Sequence, residues 1–302
     1  MQKISECQNF TTIVCPRNVC PRRCLELIDE LIEKNPDAKY IAIPLVSYRI
    51  MRWAVAANEK ITAEIEEFAD AMNNNNTPFQ RREACIEKTA ELVRLIDKGL
   101  DSLACVPNSS GKLSRILSAI HTDKDVTQRK RNGKIYGKID TVYREALEKL
   151  FSLNSIIGEA KEIFRELENE IPETEMENIF YHQTQVFFSE IYSNAIWHKE
   201  NDTSGYHGGE YPLQKAAIDL VDKILEEIQE FPYGDGEIYR SVIDVSYGPS
   251  SIKSQNQKNS DKAKTIGCSM DTFRKLRSES IEIVSAALWG LSSQRIFNLL
   301  HE

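Results

Sequence analysis

A segment near the carboxyl end, residues 263–276, carries cationic and hydroxyl side chains at the spacing of a helix-turn-helix. Such a motif needs a small residue where two helices cross and a glycine in the turn that joins them. Ala263 is the small residue, and Gly267 follows four positions later. The apolar positions that would lock the second helix against the first are Ile266, Cys268, Phe273 and Leu276. The spacing predicts two helices joined by a tight turn.

The second helix of this pair would present polar side chains on the face opposite its apolar residues. Ser269 is a good N-cap, because its hydroxyl can accept a hydrogen bond from a backbone amide of the first turn. In a major groove, Arg274 and Lys275 could reach guanine edges or phosphates, and Asp271 or Ser278 could tune base choice. Phosphate contacts fit Ser269 and Thr272. The residues predicted to contact DNA are Ser269, Met270, Asp271, Thr272, Arg274, Lys275, Arg277 and Ser278, with Lys262 and Lys264 from the first helix.

Lys262 departs from the usual pattern of this motif. It stands just before Ala263, where an apolar residue normally helps to anchor the first helix, and the residues at 254–259 are polar. Two interpretations therefore remain open. The segment is either a DNA-binding motif or a helix pair with a purely structural role.

The surrounding sequence resembles a known group of proteins. Residues 236–247 (GEIYRSVIDVSY) resemble the first helix of the sigma-factor region-four-like domain of phage-encoded transcriptional regulators. Residues 266–284 are similar to the turn and recognition helix of that domain, and 286–290 (AALWG) to the apolar end that follows it. The resemblance covers about residues 211–302 and places the helix-turn-helix at about 236–290. It implies DNA binding and regulation of phage or prophage genes.

A second basic stretch lies in the middle of the chain. Residues 129–138 contain no acid, although the whole chain has 38 basic and 46 acidic residues and a formal net charge of −8. The overall balance disfavours non-specific attraction to nucleic acid, but a local excess of bases is a reason to look for an anionic partner. We expect auxiliary phosphate contacts or, alternatively, a solvated connector at Arg129, Lys130, Arg131 and Lys134.

Cysteines are concentrated at the amino end. Four of the seven are Cys7, Cys15, Cys20 and Cys24, and four thiolates could close a tetrahedral zinc site. Their spacing differs from the two-residue-spaced pairs of common zinc sites, which favours ordinary unligated cysteines. The odd number of cysteines and the lack of a secretory leader predict reduced thiols and a cytoplasmic location. No cofactor is expected.

Enzymatic motifs are absent from the sequence. Phosphate-binding loops, dinucleotide fingerprints and the Gly-x-Ser-x-Gly elbow do not occur. The densest group of acids and histidines has no recurring metal-ligand spacing. It consists of His198, Glu200, Asp202, His207 and Glu210. The sequence therefore predicts a protein that is not an enzyme.

The hydrophobic periodicity predicts an all-α fold. Only 13 Gly and 10 Pro occur in 302 residues, which favours long helices with few connections. The most apolar span, 40–58, is interrupted by Arg49 and Arg52, so no membrane segment is expected. Apolar residues at three- and four-residue spacing predict helices over 22–35, 46–72, 78–103, 112–120, 139–171, 175–198 and 212–230.

A helix must end before Pro172, which lacks the amide donor. This predicts two domains. Residues 1–172 form a helical domain that senses a signal, dimerises or binds a partner, and residues 173–302 form a helical domain that carries the helix-turn-helix.

Together these patterns predict a cytoplasmic, sequence-specific regulator of transcription. It would bind double-stranded DNA as a homodimer, with RNA polymerase or another protein as a further partner. Two alternatives stay open. One is a non-enzymatic helical scaffold or adaptor that binds protein partners, and the other is a protein organised by zinc at the amino-terminal cysteines.

Overall fold

The computed structural model of the chain describes residues 22–72, 77–107, 109, 111–122, 136–170, 179–201, 212–231, 236–252 and 258–290. Every regular element in these ranges is helical, which confirms the all-α fold class. Within the same ranges, no helix combines the length and the apolar character that a bilayer crossing requires.

Thirteen α-helices follow one another along the described part of the chain. They are α1 Arg22–Lys34, α2 Lys39–Ala71, α3 Thr77–Ala104, α4 Lys112–Leu117, α5 Tyr136–Leu150, α6 Asn154–Glu170, α7 Ile179–Val186, α8 Ser193–Asn201, α9 Pro212–Gln229, α10 Gly236–Tyr247, α11 Pro249–Ile252, α12 Asn259–Ile266 and α13 Met270–Trp289. A 3₁₀ turn at Pro36–Ala38 precedes α2, and π-helical turns follow α4 at Ser118–Thr122 and α7 at Phe187–Tyr192. The amphipathic stretches 22–35, 78–103 and 212–230 thus form α1, α3 and α9, with ends that agree to within one residue.

The single helix predicted over 139–171 is wrong, because the chain breaks between α5 and α6. The amide of Leu153 bonds to the carbonyl of Leu150 at 3.1 Å, which tightens the last turn of α5. At the break, Asn35 donates from Nδ2 to the carbonyl of Phe151 at 3.1 Å. A side chain distant in sequence therefore satisfies a carbonyl that a continuous helix would have used internally.

The described residues divide into two compact units. One contains the residues within 22–52 and 84–170, and the other contains those within 53–83 and 179–290. The second unit therefore takes in a segment from the first half of the chain, whereas the sequence predicted two contiguous domains divided at residue 172. The helix-turn-helix segment belongs to this second unit.

The first unit has an apolar core that encloses a small polar cluster. His121 Nε2 lies 2.9 Å from the Tyr143 hydroxyl, and both side chains are buried. Burial, reinforced by the Arg49 guanidinium, lowers the pKa of His121 to about 3. The imidazole is therefore neutral at pH 7. Buried apolar residues of this unit include Leu25, Ile28, Ile41, Leu45, Leu92, Ile96, Leu117, Leu147 and Phe164.

The second unit is built around the carboxyl half of α13. From Glu279 to Trp289 this half is buried at every position except Glu282. Trp289 Nε1 donates to Thr184 Oγ1 of α7 at 3.1 Å, and Asn58 Nδ2 of α2 donates to the Ala287 carbonyl at 3.0 Å. Each fully buried aliphatic side chain contributes roughly 1.5–3 kcal/mol. The buried half of α13 thereby fixes the direction of the half that precedes it.

Candidate nucleic-acid interface

The turn between α12 and α13 has the hydrogen-bond pattern of a Schellman cap. Gly267 lies in the left-handed region with φ 76° and ψ 29°. Its amide donates to the Lys264 carbonyl at 3.0 Å, and the Cys268 amide donates to the Ala263 carbonyl at 2.9 Å. These two bonds satisfy carbonyls left open at the end of α12. Glycine is favoured here because a side chain would strain this backbone conformation.

Ser269 starts α13, as the sequence predicted. Its backbone is extended, with φ −70° and ψ 159°, and its Oγ accepts a hydrogen bond from the Thr272 amide at 3.1 Å. The Phe273 amide bonds to the Ser269 carbonyl at 2.8 Å and begins the helical ladder. Such a cap contributes about 1 kcal/mol to helix stability. Helix α13 is therefore well defined from its first turn.

An apolar cluster joins α10, α12 and α13. At its centre Val242 of α10, Ala263 of α12 and Phe273 of α13 are buried together. The partly buried residues around them are Ile238, Ile266, Cys268 and Leu276. The four apolar positions predicted from the motif spacing all belong to this cluster. The turn and the cluster together confirm the local helix-turn-helix geometry, with α10 as its third helix.

Polar side chains of α13 lie on the solvent side of this cluster. The side chains of Asp271, Arg274 and Lys275 are 94%, 58% and 43% exposed. Ser269 and Thr272 are also exposed. We call these five residues the outward face of α13. Met270, Arg277 and Ser278, also predicted from the sequence, are half-buried beside it, whereas Lys264 of α12 is 80% exposed.

Two exposed cations of this region, Arg274 and Lys264, each have an acidic neighbour on their own helix. Asp271 Oδ1 lies 3.5 Å from Arg274 Nη1. Asp261 Oδ1 lies 3.5 Å from Lys264 Nζ. Pairs of this kind on a helix surface contribute only about 0.2–0.5 kcal/mol. A phosphate or a base edge can therefore replace the carboxylate at small cost.

Lys262 lies differently from the other cations. Its side chain is half-buried, and its Nζ donates to the Ser246 carbonyl in the last turn of α10 at 3.4 Å. Burial, and secondarily the nearby Arg277 guanidinium, lowers the pKa of Lys262. A lysine can replace the expected apolar anchor because its methylene stem packs while its amine reaches a helix end. Lys262 thus ties α12 to α10.

Glu279 was missed by the sequence analysis. Its side chain is only 1% exposed, and its Oε1 lies 3.9 Å from Lys275 Nζ. The Tyr239 hydroxyl of α10 donates to its Oε2 at 3.3 Å. A glutamate four residues after a lysine on a helix usually indicates a surface pair. The buried contact of this carboxyl with Tyr239, forty residues earlier in the chain, is visible only in the folded structure.

Several predicted site residues lie outside the described part of the chain. These are Arg129, Lys130, Arg131 and Lys134 of the second basic stretch, and Cys7, Cys15 and Cys20 of the suggested zinc set. Cys24 is described and is a buried free thiol of α1. Among the residues that the structure describes, no group of three or more His, Cys, Asp or Glu side chains could hold a metal ion.

No family model, curated protein or solved structure matches the chain. The resemblance to sigma-factor region-four-like regulators therefore stays a prediction, which depends on the residues of α10, α12 and α13.

Proposed function

We propose that this protein is a sequence-specific DNA-binding regulator of transcription. The observation that carries the proposal is the outward face of α13, where Asp271, Arg274 and Lys275 are exposed on a capped helix. Because the same helix continues into the core of the second unit, these side chains are held on a rigid element. Rigid placement is what discrimination between base edges requires.

The proposed mechanism is non-catalytic. With the first turns of α13 in a major groove, Arg274 can donate two hydrogen bonds to guanine O6 and N7. Asp271, one turn earlier, can accept a hydrogen bond from the amino group of cytosine. Thr272 and Lys264 are exposed and can contact phosphates, which would fix the register on the duplex. Neutralising phosphates releases counterions, so affinity would fall steeply as salt increases.

The wider setting of this function comes from the sequence. The resemblance favours a phage or prophage regulator that acts in the cytoplasm, in contact with RNA polymerase or another protein. Helix-turn-helix proteins commonly bind as dimers to half-sites one helical turn, about 34–36 Å, apart. We therefore propose a homodimer that binds a two-fold symmetric site.

The test begins with selection of duplexes from a random DNA pool by the full-length protein. Affinity for the selected duplex is then measured against salt for the wild type and for Arg274→Ala/Lys275→Ala. We expect the double variant to lose at least about tenfold in affinity, since one good base contact is worth about 1–3 kcal/mol. The slope of log affinity against log salt concentration should become shallower by about one for each phosphate contact that is lost.

A matched control removes two cations elsewhere in the same unit. Lys215 and Lys223 on α9 each pair with an acid on their own helix, at 2.9 Å in both cases. Lys215→Ala/Lys223→Ala therefore changes the net charge equally without touching the outward face of α13. A folded Arg274→Ala/Lys275→Ala variant that keeps both its affinity and its salt dependence would refute the proposal.

The pairing of exposed cations with acids also favours a second candidate function. Lys264 and Arg274 each have a carboxylate 3.5 Å away, which reduces their attraction for a polyanion. A helical scaffold or adaptor whose protein partner carries both acidic and basic side chains fits this mixed charge pattern. Retention on heparin without a mobility shift by any duplex would favour the scaffold over the regulator.

A further inference from the structure

Arg274 and Lys275 are neighbours in sequence, but their acidic partners lie in opposite directions along α13. Arg274 pairs with Asp271, three residues towards the amino end of α13. Lys275 pairs with Glu279, four residues towards the carboxyl end. In a helix-turn-helix, the amino-terminal residues of the recognition helix contact base edges. The two ion pairs therefore place Arg274 near the base-contacting end and draw Lys275 away from it.

The two acids also differ in their surroundings. Asp271 is almost fully exposed, so water can replace it beside Arg274. Glu279 is 1% exposed and is held by the Tyr239 hydroxyl, and its Oε1 has no hydrogen-bond partner among the described residues. A buried carboxylate attracts a nearby ammonium more strongly than a solvated one does, because the surrounding dielectric is lower. Lys275 is the cation that faces this oxygen.

We propose that Glu279 is a positioning residue that restrains Lys275 and so limits attraction to non-cognate DNA. The inference rests on the proposed function. A lysine free to contact any phosphate adds affinity for every sequence alike. A restrained lysine adds little to non-specific binding and leaves discrimination to Arg274 and Asp271. Glu279 thus increases the ratio of cognate to non-cognate affinity without contacting DNA itself.

The test is Glu279→Gln in the full-length protein, with binding measured against salt on the selected duplex and on a random-sequence duplex. Glutamine keeps the shape of the side chain and can accept the Tyr239 hydrogen bond, but it releases Lys275. On the random duplex, we expect the slope of log affinity against log salt concentration to become steeper by about 0.9, the value for one added phosphate contact. The ratio of cognate to random affinity should fall several-fold. A purely structural defect would weaken binding at every salt concentration without steepening this dependence.

The charge-matched control is Glu237→Gln, at an exposed position in the first turn of α10. It removes one acid from the same unit without affecting Lys275. Equal steepening in this control would overturn the proposal, because the effect would then come from net charge alone.

Two exposed single variants test the restraint without altering the buried carboxyl. On the random duplex, Arg274→Gln should flatten the salt dependence by about 0.9, whereas Lys275→Gln should change it much less. Equal flattening by both variants would show that Lys275 already contacts phosphate freely, and it would overturn the restraint. Failure of the wild type to bind any duplex would refute the proposed function itself. Wild-type binding with an unchanged salt dependence in Glu279→Gln would refute only the positioning role.

Discussion

Gly267 gives a sharp test of the turn that joins α12 and α13. Its φ of 76° is a conformation that L side chains rarely adopt, yet a Cβ built there meets no atom within 4 Å. Gly267→Ala therefore introduces backbone strain and no clash. The strain costs about 1–2 kcal/mol, and the lower entropy of the unfolded chain offsets about 0.4–1 kcal/mol of it. We expect the free energy of unfolding to fall by about 1 kcal/mol.

Asparagine separates strain from other causes, because it tolerates the left-handed region better than alanine. Gly267→Asn should therefore lose less stability than Gly267→Ala in urea unfolding followed by circular dichroism. Gly111 in the first unit provides the matched control. It has φ 68° and also leaves open space for a Cβ. Gly111→Ala should cost a similar amount of stability while leaving DNA affinity unchanged.

Gly236 differs from Gly267, because a side chain at this position would clash with neighbouring backbone atoms. A Cβ at this position would lie 2.2 Å from the Ile228 carbonyl oxygen, so the backbone would have to move. Gly236→Ala should therefore be more destabilising than Gly267→Ala. If Gly267→Ala retains wild-type stability, or if Gly267→Asn is the less stable of the two, the argument from backbone strain is wrong.

Two further predictions concern His121 and Ser269. Burial lowers the pKa of His121 to about 3, so as the pH falls the imidazole is protonated in the unfolded chain before it is protonated in the folded one. The stability that the neutral His121 contributes is therefore present above pH 6.5 and is lost as the pH falls towards 3. The loss amounts to about 1.4 kcal/mol per pH unit, and His121→Gln should abolish it. Urea unfolding between about pH 4 and 7 measures this, and a pH profile of stability that is the same in the variant and the wild type would contradict the prediction. Ser269→Ala should lower the free energy of unfolding by about 1 kcal/mol, because the Thr272 amide loses its acceptor. Ser269→Asp should retain most of that stability, and equal losses in both variants would show that the cap contributes nothing.

The local parts of the candidate site were predictable from the sequence because their signals are short-range. A left-handed turn requires a residue such as Gly267, and a helix start favours a residue such as Ser269. The apolar positions Ile266, Phe273 and Leu276 follow from helical periodicity on either side of that turn. The all-α class follows from the same periodicity over the whole chain.

Other features depend on contacts that are distant in sequence. The break at Phe151 interrupts a regular apolar pattern and is stabilised by Asn35, more than a hundred residues earlier. Glu279 is buried and accepts a hydrogen bond from Tyr239 of another helix. The grouping of 53–83 with the carboxyl-terminal residues is a property of tertiary packing. Periodicity within one segment contains no information about which other segment will cover it.

Site-specific photo-crosslinking measures most directly whether the outward face of α13 lies against DNA, as we propose. A photoreactive amino acid replaces Asp271 on α13 or, in a separate variant, Asp219 on α9, whose side chain is 44% exposed in the same unit. With the selected duplex, we predict crosslinks from position 271, lost in excess unlabelled duplex, and none from position 219. No crosslink from position 271, or equal crosslinking from both positions, would contradict the account.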